Sequence, residues 1–150
     1  MQIGLACDHG GFELKEELKN HIKSLGFEPV DLGTFSEDSV DYPDYGILLA
    51  EKVSRGALEK GILVCGTGIG MSIVANKFPR VRAALVNDVY SSRFSREHTD
   101  ANIVVIGARI VGRELAKEIV KVWLDTAFAG GRHKTRLEKI EDLEEKNFKK

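Results

Sequence analysis

The sequence predicts an α/β sandwich of three layers, a mainly parallel five-stranded sheet flanked by helices. Three observations predict it. Short apolar runs alternate with amphipathic stretches five times along the chain, the pattern of strand–helix units laid side by side in one direction. Polar or glycine-rich turns follow the strongest runs. The 150 residues, 43% hydrophobic and 30% charged, suit a single domain with one core and exclude a disordered or collagen-like chain.

Taken in order, residues 2–6 (QIGLA) read as a buried strand, followed by Asp8-His9-Gly10-Gly11. A helix then places Leu14, Leu18, Ile22 and Leu25 on one face, with Gly26 suited to its C-terminal cap. Residues 28–32 are a weaker strand, in which Pro29 suggests an edge or a strand start. Residues 33–45 read as a polar loop containing Asp41-Tyr42-Pro43-Asp44, and a helix is expected over about 46–59. The clearest strand, Ile62-Leu63-Val64-Cys65, runs into Gly66-Thr67-Gly68-Ile69-Gly70 and a short helix near 71–77. Strands at 82–86 and 102–106 flank a helix around 89–97, and a long amphipathic helix covers 111–127. Gly130-Gly131 breaks the chain, and a charged helix from about 135 to 150 carries Leu137, Ile140 and Leu143 at helical spacing. Set apart by two glycines, it can pack on its own domain or reach across to a partner subunit, and contact with a partner is expected.

The net charge of -1 gives no global field toward nucleic acid or membrane, so an anion site has to be built locally. The N-terminus reaches a charge too soon for a secretory signal, and no apolar run approaches membrane-spanning length. The two cysteines lack metal-like spacing and make no disulfide framework. A cytoplasmic protein with free thiols is expected.

In open α/β sheets the ligand sits beyond the carboxyl ends of the strands. Asp8 and His9, Cys65 and its glycine loop, Asn87 and Asp88, and Gly107 and Arg109 all follow strands and fall on that rim. The alternate glycines Gly66, Gly68 and Gly70 let backbone N–H groups converge on an anion; the plain alternative is a tight turn that binds nothing. Met71 stands where a dinucleotide fingerprint needs glycine, where a triphosphatase loop needs lysine, and where a cysteine phosphatase needs arginine. An oxyanion or enediolate is therefore the expected ligand. Cys65, just before the loop, can serve as nucleophile or base, or it is a structural thiol at a strand end. Cys7 reads as packing. Asp8 can orient a sugar hydroxyl or cap the first helix, and both can hold. His98 suits acid–base work near neutral pH, although such a histidine is more often a solvated helix end. Arg132-His133-Lys134-Thr135-Arg136 is a basic cluster in which Arg132 and Arg136 fall one turn apart if a helix begins there, suiting a phosphate as well as a plain basic patch would explain them. Arg109 is a third candidate for that phosphate.

Together these residues resemble the type B ribose-5-phosphate isomerases, the family that includes galactose-6-phosphate isomerase subunits. The resemblance covers nearly the whole chain. It is carried by Cys7-Asp8-His9-Gly10-Gly11, Asp41-Tyr42-Pro43-Asp44, Cys65-Gly66-Thr67-Gly68-Ile69-Gly70-Met71, Arg96-Glu97-His98, Gly107-Ala108-Arg109, and Gly130-Gly131-Arg132-His133 with Arg136. It implies a Rossmann-like sheet, no metal or organic cofactor, and a homodimer or tetramer whose active sites are shared between subunits. It also implies interconversion of ribose 5-phosphate and ribulose 5-phosphate through an enediolate, in the pentose phosphate pathway. A six-carbon substrate such as galactose or allose 6-phosphate is the alternative, and a non-catalytic sugar-phosphate sensor is the alternative of another class.

The resemblance implies roles residue by residue. Cys65 looks like the base; one branch of the family uses a glutamate at the position of Met71, which cannot take a proton. His98 resembles the group that opens the sugar ring, assisted by Asp8 and Thr67. The amides of Gly66, Thr67, Gly68, Ile69 and Gly70 look like the enediolate hole. His9, Arg109, Arg132 and Arg136 look like the phosphate clamp, and Tyr42 like a wall of the sugar site. Thr99 departs from the asparagine often found after this histidine, and offers the substrate a shorter polar contact.

Overall fold

The structure, a computed structural model, describes residues 1–148. Five strands form one sheet: β1 (Gln2–Cys7), β2 (Glu28–Asp31), β3 (Lys60–Cys65), β4 (Ala83–Leu85) and β5 (Ile103–Gly107). Their order is β2-β1-β3-β5-β4 and every pairing is parallel. Six helices surround it: α1 (Phe12–Ser24), α2 (Tyr42–Ser54), α3 (Ile69–Ala75), α4 (Val89–Thr99), α5 (Arg113–Asp125) and α6 (Arg132–Phe148). No helix among the described residues is long and apolar enough to cross a membrane.

Strand side chains alternate between two faces, and both faces are covered. Ile3, Leu5, Cys7, Ile62, Val64, Val104 and Ile106 pack with Leu18, Ile22, Ile119 and Trp123 of α1 and α5. Ala6, Leu63, Cys65, Ile103 and Val105 pack with Leu49, Ala50, Met71 and Ala75 of α2 and α3. The three layers follow, and they put the two cysteines on opposite faces. Cys7 is fully buried, and burial pushes its thiol up to about 12. That matches its reading as packing.

Local signals explain several boundaries. Helix α1 ends in a Schellman motif: Gly26 takes φ 91°, its N–H donates to Lys23 O, and Phe27 N–H donates to Ile22 O, each at 3.0 Å. Helix α2 starts four residues earlier than the sequence suggests, because Pro43 lies in its first turn, where a missing N–H costs nothing. Helix α6 starts at Arg132, not near 135, immediately after Gly130 and Gly131 turn the chain with φ of 68° and 57°. Residues 149–150 of the expected terminal helix lie outside the described residues.

The described part of α6 packs back on its own chain. Leu137 is buried, and Glu144 accepts the Arg80 N–H at 2.9 Å. Ile140, Leu143 and Phe148 remain largely exposed beside a groove of about 490 Å³ along Val81–Ala84. The free edge of β4 is covered by a side chain, since Asn76 both donates to and accepts from the Ala83 backbone at 2.9 Å.

Candidate active site

From β1 the chain runs outward to β2 on one side and returns to β3 on the other, so the carboxyl ends of β1 and β3 open a crevice between diverging connections. Asp8 and His9 leave β1 at that crevice, and Cys65 closes β3. Opposite Cys65 in the sheet stands Gly107, the last residue of β5.

The glycine loop is laced to the end of β5. Cys65 O accepts the Ala108 N–H at 2.8 Å and Gly66 O accepts the Arg109 N–H at 2.9 Å. Within the loop, Gly68 takes φ 82° and its N–H donates to Cys65 Sγ at 3.1 Å. The sulfur is thereby held as an acceptor at the carboxyl end of β3, in a residue that is 5% exposed. Ile69 N–H donates to Thr67 Oγ1 at 3.2 Å. Among the described residues, the N–H groups of Gly66, Thr67 and Gly70 meet no protein acceptor. Ile69 itself points largely outward.

Other side chains close around this loop. A Cβ on Gly70 would come within 2.5 Å of the Tyr42 ring, so that ring packs directly on the loop. A Cβ on Gly66 would sit 3.4 Å from Arg109 Nη1, which places that guanidinium over the loop. Asp8 Oδ1 accepts the Gly10 N–H at 3.0 Å, capping a single 3₁₀ turn (His9–Gly11), while its other oxygen makes no hydrogen bond to the described protein. His9 Nδ1 accepts the Val40 N–H at 3.1 Å, so the neutral ring carries its proton on Nε2. This partner comes from a backbone amide in the 33–41 loop, which no side-chain motif announces. The loop starts where Gly33 N–H donates to Asp31 at 3.0 Å, and the buried Lys15 and the partly exposed Lys19 hold that carboxylate at 2.6 and 2.8 Å. Asp88, also on the rim, spends both oxygens on Ser91 and is a helix cap.

Gly107→Ala tests this lacing. The added methyl would lie 2.5 Å from Thr67 O, a backbone atom with nowhere to go. Thermal unfolding should show a loss of about 1–3 kcal/mol, together with a lowered kcat/KM because the loop must move.

The remaining expected residues lie elsewhere in the chain. Helix α4 returns antiparallel to the strands, so His98 and Thr99 at its C-terminal end lie by the amino ends of the sheet. Thr99 O accepts Arg82 Nε at 2.9 Å, and Asn102 O accepts the Gly61 N–H at 3.0 Å. Five residues of β5 separate this end from Cys65, about 13 Å of strand. The Thr99 hydroxyl donates to Ser95 O at 2.5 Å, which leaves its lone pairs alone for any ligand. Arg132 and Arg136 are exposed and one turn apart on α6, beside His98. One chain therefore brings together Asp8, His9, Tyr42, Cys65, the loop and Arg109, and separately His98, Thr99, Arg132 and Arg136. It does not join the two sets. Pattern reading also missed His133, whose ring stacks on His98 at 4.1 Å.

Comparison with known proteins supplies the frame for this geometry. The family described as Ribose/Galactose Isomerase matches residues 3–140. Ribose-5-phosphate isomerase B of Escherichia coli (strain K12) is 46% identical over 145 residues, 97% of each chain. D-erythrulose-4-phosphate isomerase of Pectobacterium atrosepticum is 39% identical over 144 residues, 93% of each. Among solved structures, Clostridium thermocellum ribose-5-phosphate isomerase B superposes with a TM-score of 0.95 at 50% identity, covering 98% of this chain and 99% of that one. With a match of this extent in sequence and fold, the chain belongs to the ribose/galactose isomerase family and is a sugar phosphate isomerase.

Proposed function

We propose that this chain interconverts ribose 5-phosphate and ribulose 5-phosphate in the cytosol, without a cofactor, at sites each built from two copies. The observation that carries the reading is the position of Cys65 Sγ, at the carboxyl end of β3 and in a loop whose Gly66, Thr67 and Gly70 amides have no protein acceptor among the described residues. The names of the Escherichia coli and Clostridium thermocellum relatives support the pentose; the tetrose isomerase among the relatives shows that the family is not confined to it.

The chemistry follows from the residues. His98 of one copy protonates the ring oxygen as the bond from C1 to that oxygen breaks, with Asp8 and Thr67 of the other copy taking up the O1 hydroxyl proton. The open aldehyde then loses its C2 proton to Cys65 Sγ. The electron pair of that C–H bond becomes the C1–C2 double bond, and negative charge grows on O1. Fixed N–H dipoles at Gly66, Thr67 and Gly70 stabilise that charge without reorganising. The same Sγ returns its proton to C1 while the O2 hydroxyl proton passes to O1, which leaves the ketose. His9 Nε2–H and Arg109 from one copy, with Arg132 and Arg136 from the other, hold the phosphate and so fix the reacting carbons.

Two copies are required because one chain holds His98 at the opposite end of the sheet from Cys65. The exposed Ile140 and Leu143 of α6 offer apolar surface for that contact.

Incubation with ribose 5-phosphate and assay for ribulose 5-phosphate tests the reading directly. Turnover of galactose or allose 6-phosphate alone would move the substrate to a hexose. Binding without turnover of any of them would leave a sensor. Arg132→Ala and Arg136→Ala should each raise KM about tenfold or more, the worth of a charged hydrogen bond, with kcat little changed. A defect in kcat alone would remove them from the clamp.

A further inference from the structure

His133 takes no part in the steps above, yet its ring lies flat on the residue assigned to ring opening. The imidazoles of His98 and His133 have centroids 4.1 Å apart and planes 17° from parallel. His98 also meets the Phe94 ring at 4.6 Å with a tilt of 48°, and Phe94 meets Tyr90 at 4.5 Å. The Phe94 contact is local, one turn apart on α4. The His133 contact is not. It depends on the turn through Gly130 and Gly131, both with positive φ, and on Ala129 N–H donating to Glu97 O at 3.0 Å. These fold the chain back so that the first turn of α6 lands on the last turn of α4.

We infer that His133 is a positioning residue for the isomerisation, holding the His98 imidazole in one orientation by stacking on it. The inference rests on the reading of His98 as the ring-opening group. A histidine at an open helix end samples its rotamers on a picosecond-to-nanosecond scale. Proton transfer to a sugar oxygen needs hydrogen-bond reach, roughly 2.6–3.2 Å. A flat neighbour at stacking distance removes most of the competing orientations.

The charges around the pair favour the same division of labour. Glu97 on α4 and Arg132 and Arg136 on α6 are the charged groups facing His133. Partial burial, then His98 and the two arginines, hold it below the usual imidazole range, with Glu97 opposing. That direction disfavours a proton on His133. A neutral aromatic face accepts a cation beside it, and His98 is that cation when it carries the proton.

Steady-state kinetics on ribose 5-phosphate with the full-length wild type, His133→Ala, His133→Phe and His98→Ala tests this. His133→Ala should lower kcat by about 10- to 100-fold, within the usual worth of a positioned acid–base group, and leave KM within about twofold. His133→Phe restores a flat ring without a titrating group and should recover most of the rate. Wild-type kcat in His133→Ala would overturn the inference. So would a rise in KM alone, which would mean the residue only supports the arginines, and so would His133→Phe as slow as His133→Ala. Should His133→Ala lose its fold, His133→Leu, apolar but not flat, is compared with His133→Phe in its place. Wild-type kcat in His98→Ala would overturn the inference through its premise, and absence of turnover in the wild type would refute the assigned function itself; the two results are distinguishable in one series.

Discussion

Cys65→Ala is expected to abolish measurable isomerisation, a fall of at least about a thousandfold, while the Kd of a non-reacting sugar-phosphate analogue changes little. The expectation follows from what the side chain touches. Sγ accepts the Gly68 N–H at 3.1 Å, and alanine has nothing there to receive a proton. The loop itself should survive, because it is held through the Cys65 and Gly66 carbonyls by the amides of Ala108 and Arg109. Binding and chemistry should therefore separate. Cys65→Ser provides a second arm: its oxygen can still accept the amide, but it is a far weaker base, so it too should be inactive. Cys7→Ala is the control. Cys7 faces the opposite side of the sheet, and burial pushes it up to about 12, where no thiolate exists at neutral pH. It should lose some stability and no rate. Equal turnover in Cys65→Ala, or equal inactivity in Cys7→Ala, would dispose of the assignment.

The reach of sequence reading into this molecule divides along a physical line. Features written in contiguous residues were legible. The run of apolar residues from Ile62 to Cys65 is a buried central strand, and Gly26 is the left-handed cap of α1, because in each case a single local rule decides the conformation. The cysteine and its glycine loop were legible for the same reason. Helix starts were less so. Pro43 reads as a loop residue until its place in the first turn of α2 is seen, and the basic cluster from Arg132 becomes helical only because two glycines turn the chain just before it.

Contacts made across the fold were not legible at all. The acceptor role of His9 Nδ1 is set by a backbone amide 31 residues away. The His98–His133 stack joins two helix ends through a turn whose direction no periodicity encodes. The rim rule gathers residues that follow strands. It says nothing of residues at the far ends of the returning helices, which is where His98, Arg132 and Arg136 lie. Only the resemblance to a family linked them to Cys65, and the proposed shared site would reconcile them with the geometry of one chain.

A site shared in this way would have a consequence large enough to decide the question. Cys65→Ala and His98→Ala should each be nearly inactive when assembled alone, the first lacking the base and the second the ring-opening group. If each site takes Cys65 from one copy and His98 from the other, a mixed dimer of the two variants contains one site with both lesions and one with neither. Random pairing makes about half of the dimers mixed, each with one whole site of two, so activity should return to about one quarter of the wild-type value. Co-expression with two different affinity tags, followed by two-step purification, isolates the mixed species and should raise recovery to about one half. Recovery of this kind cannot come from a site contained within one chain, because every chain in the mixture carries a lesion. Purified mixed dimers with no more activity than either parent would place His98 outside the site served by Cys65. The length of β5, about 13 Å, would then simply lie between two unrelated features.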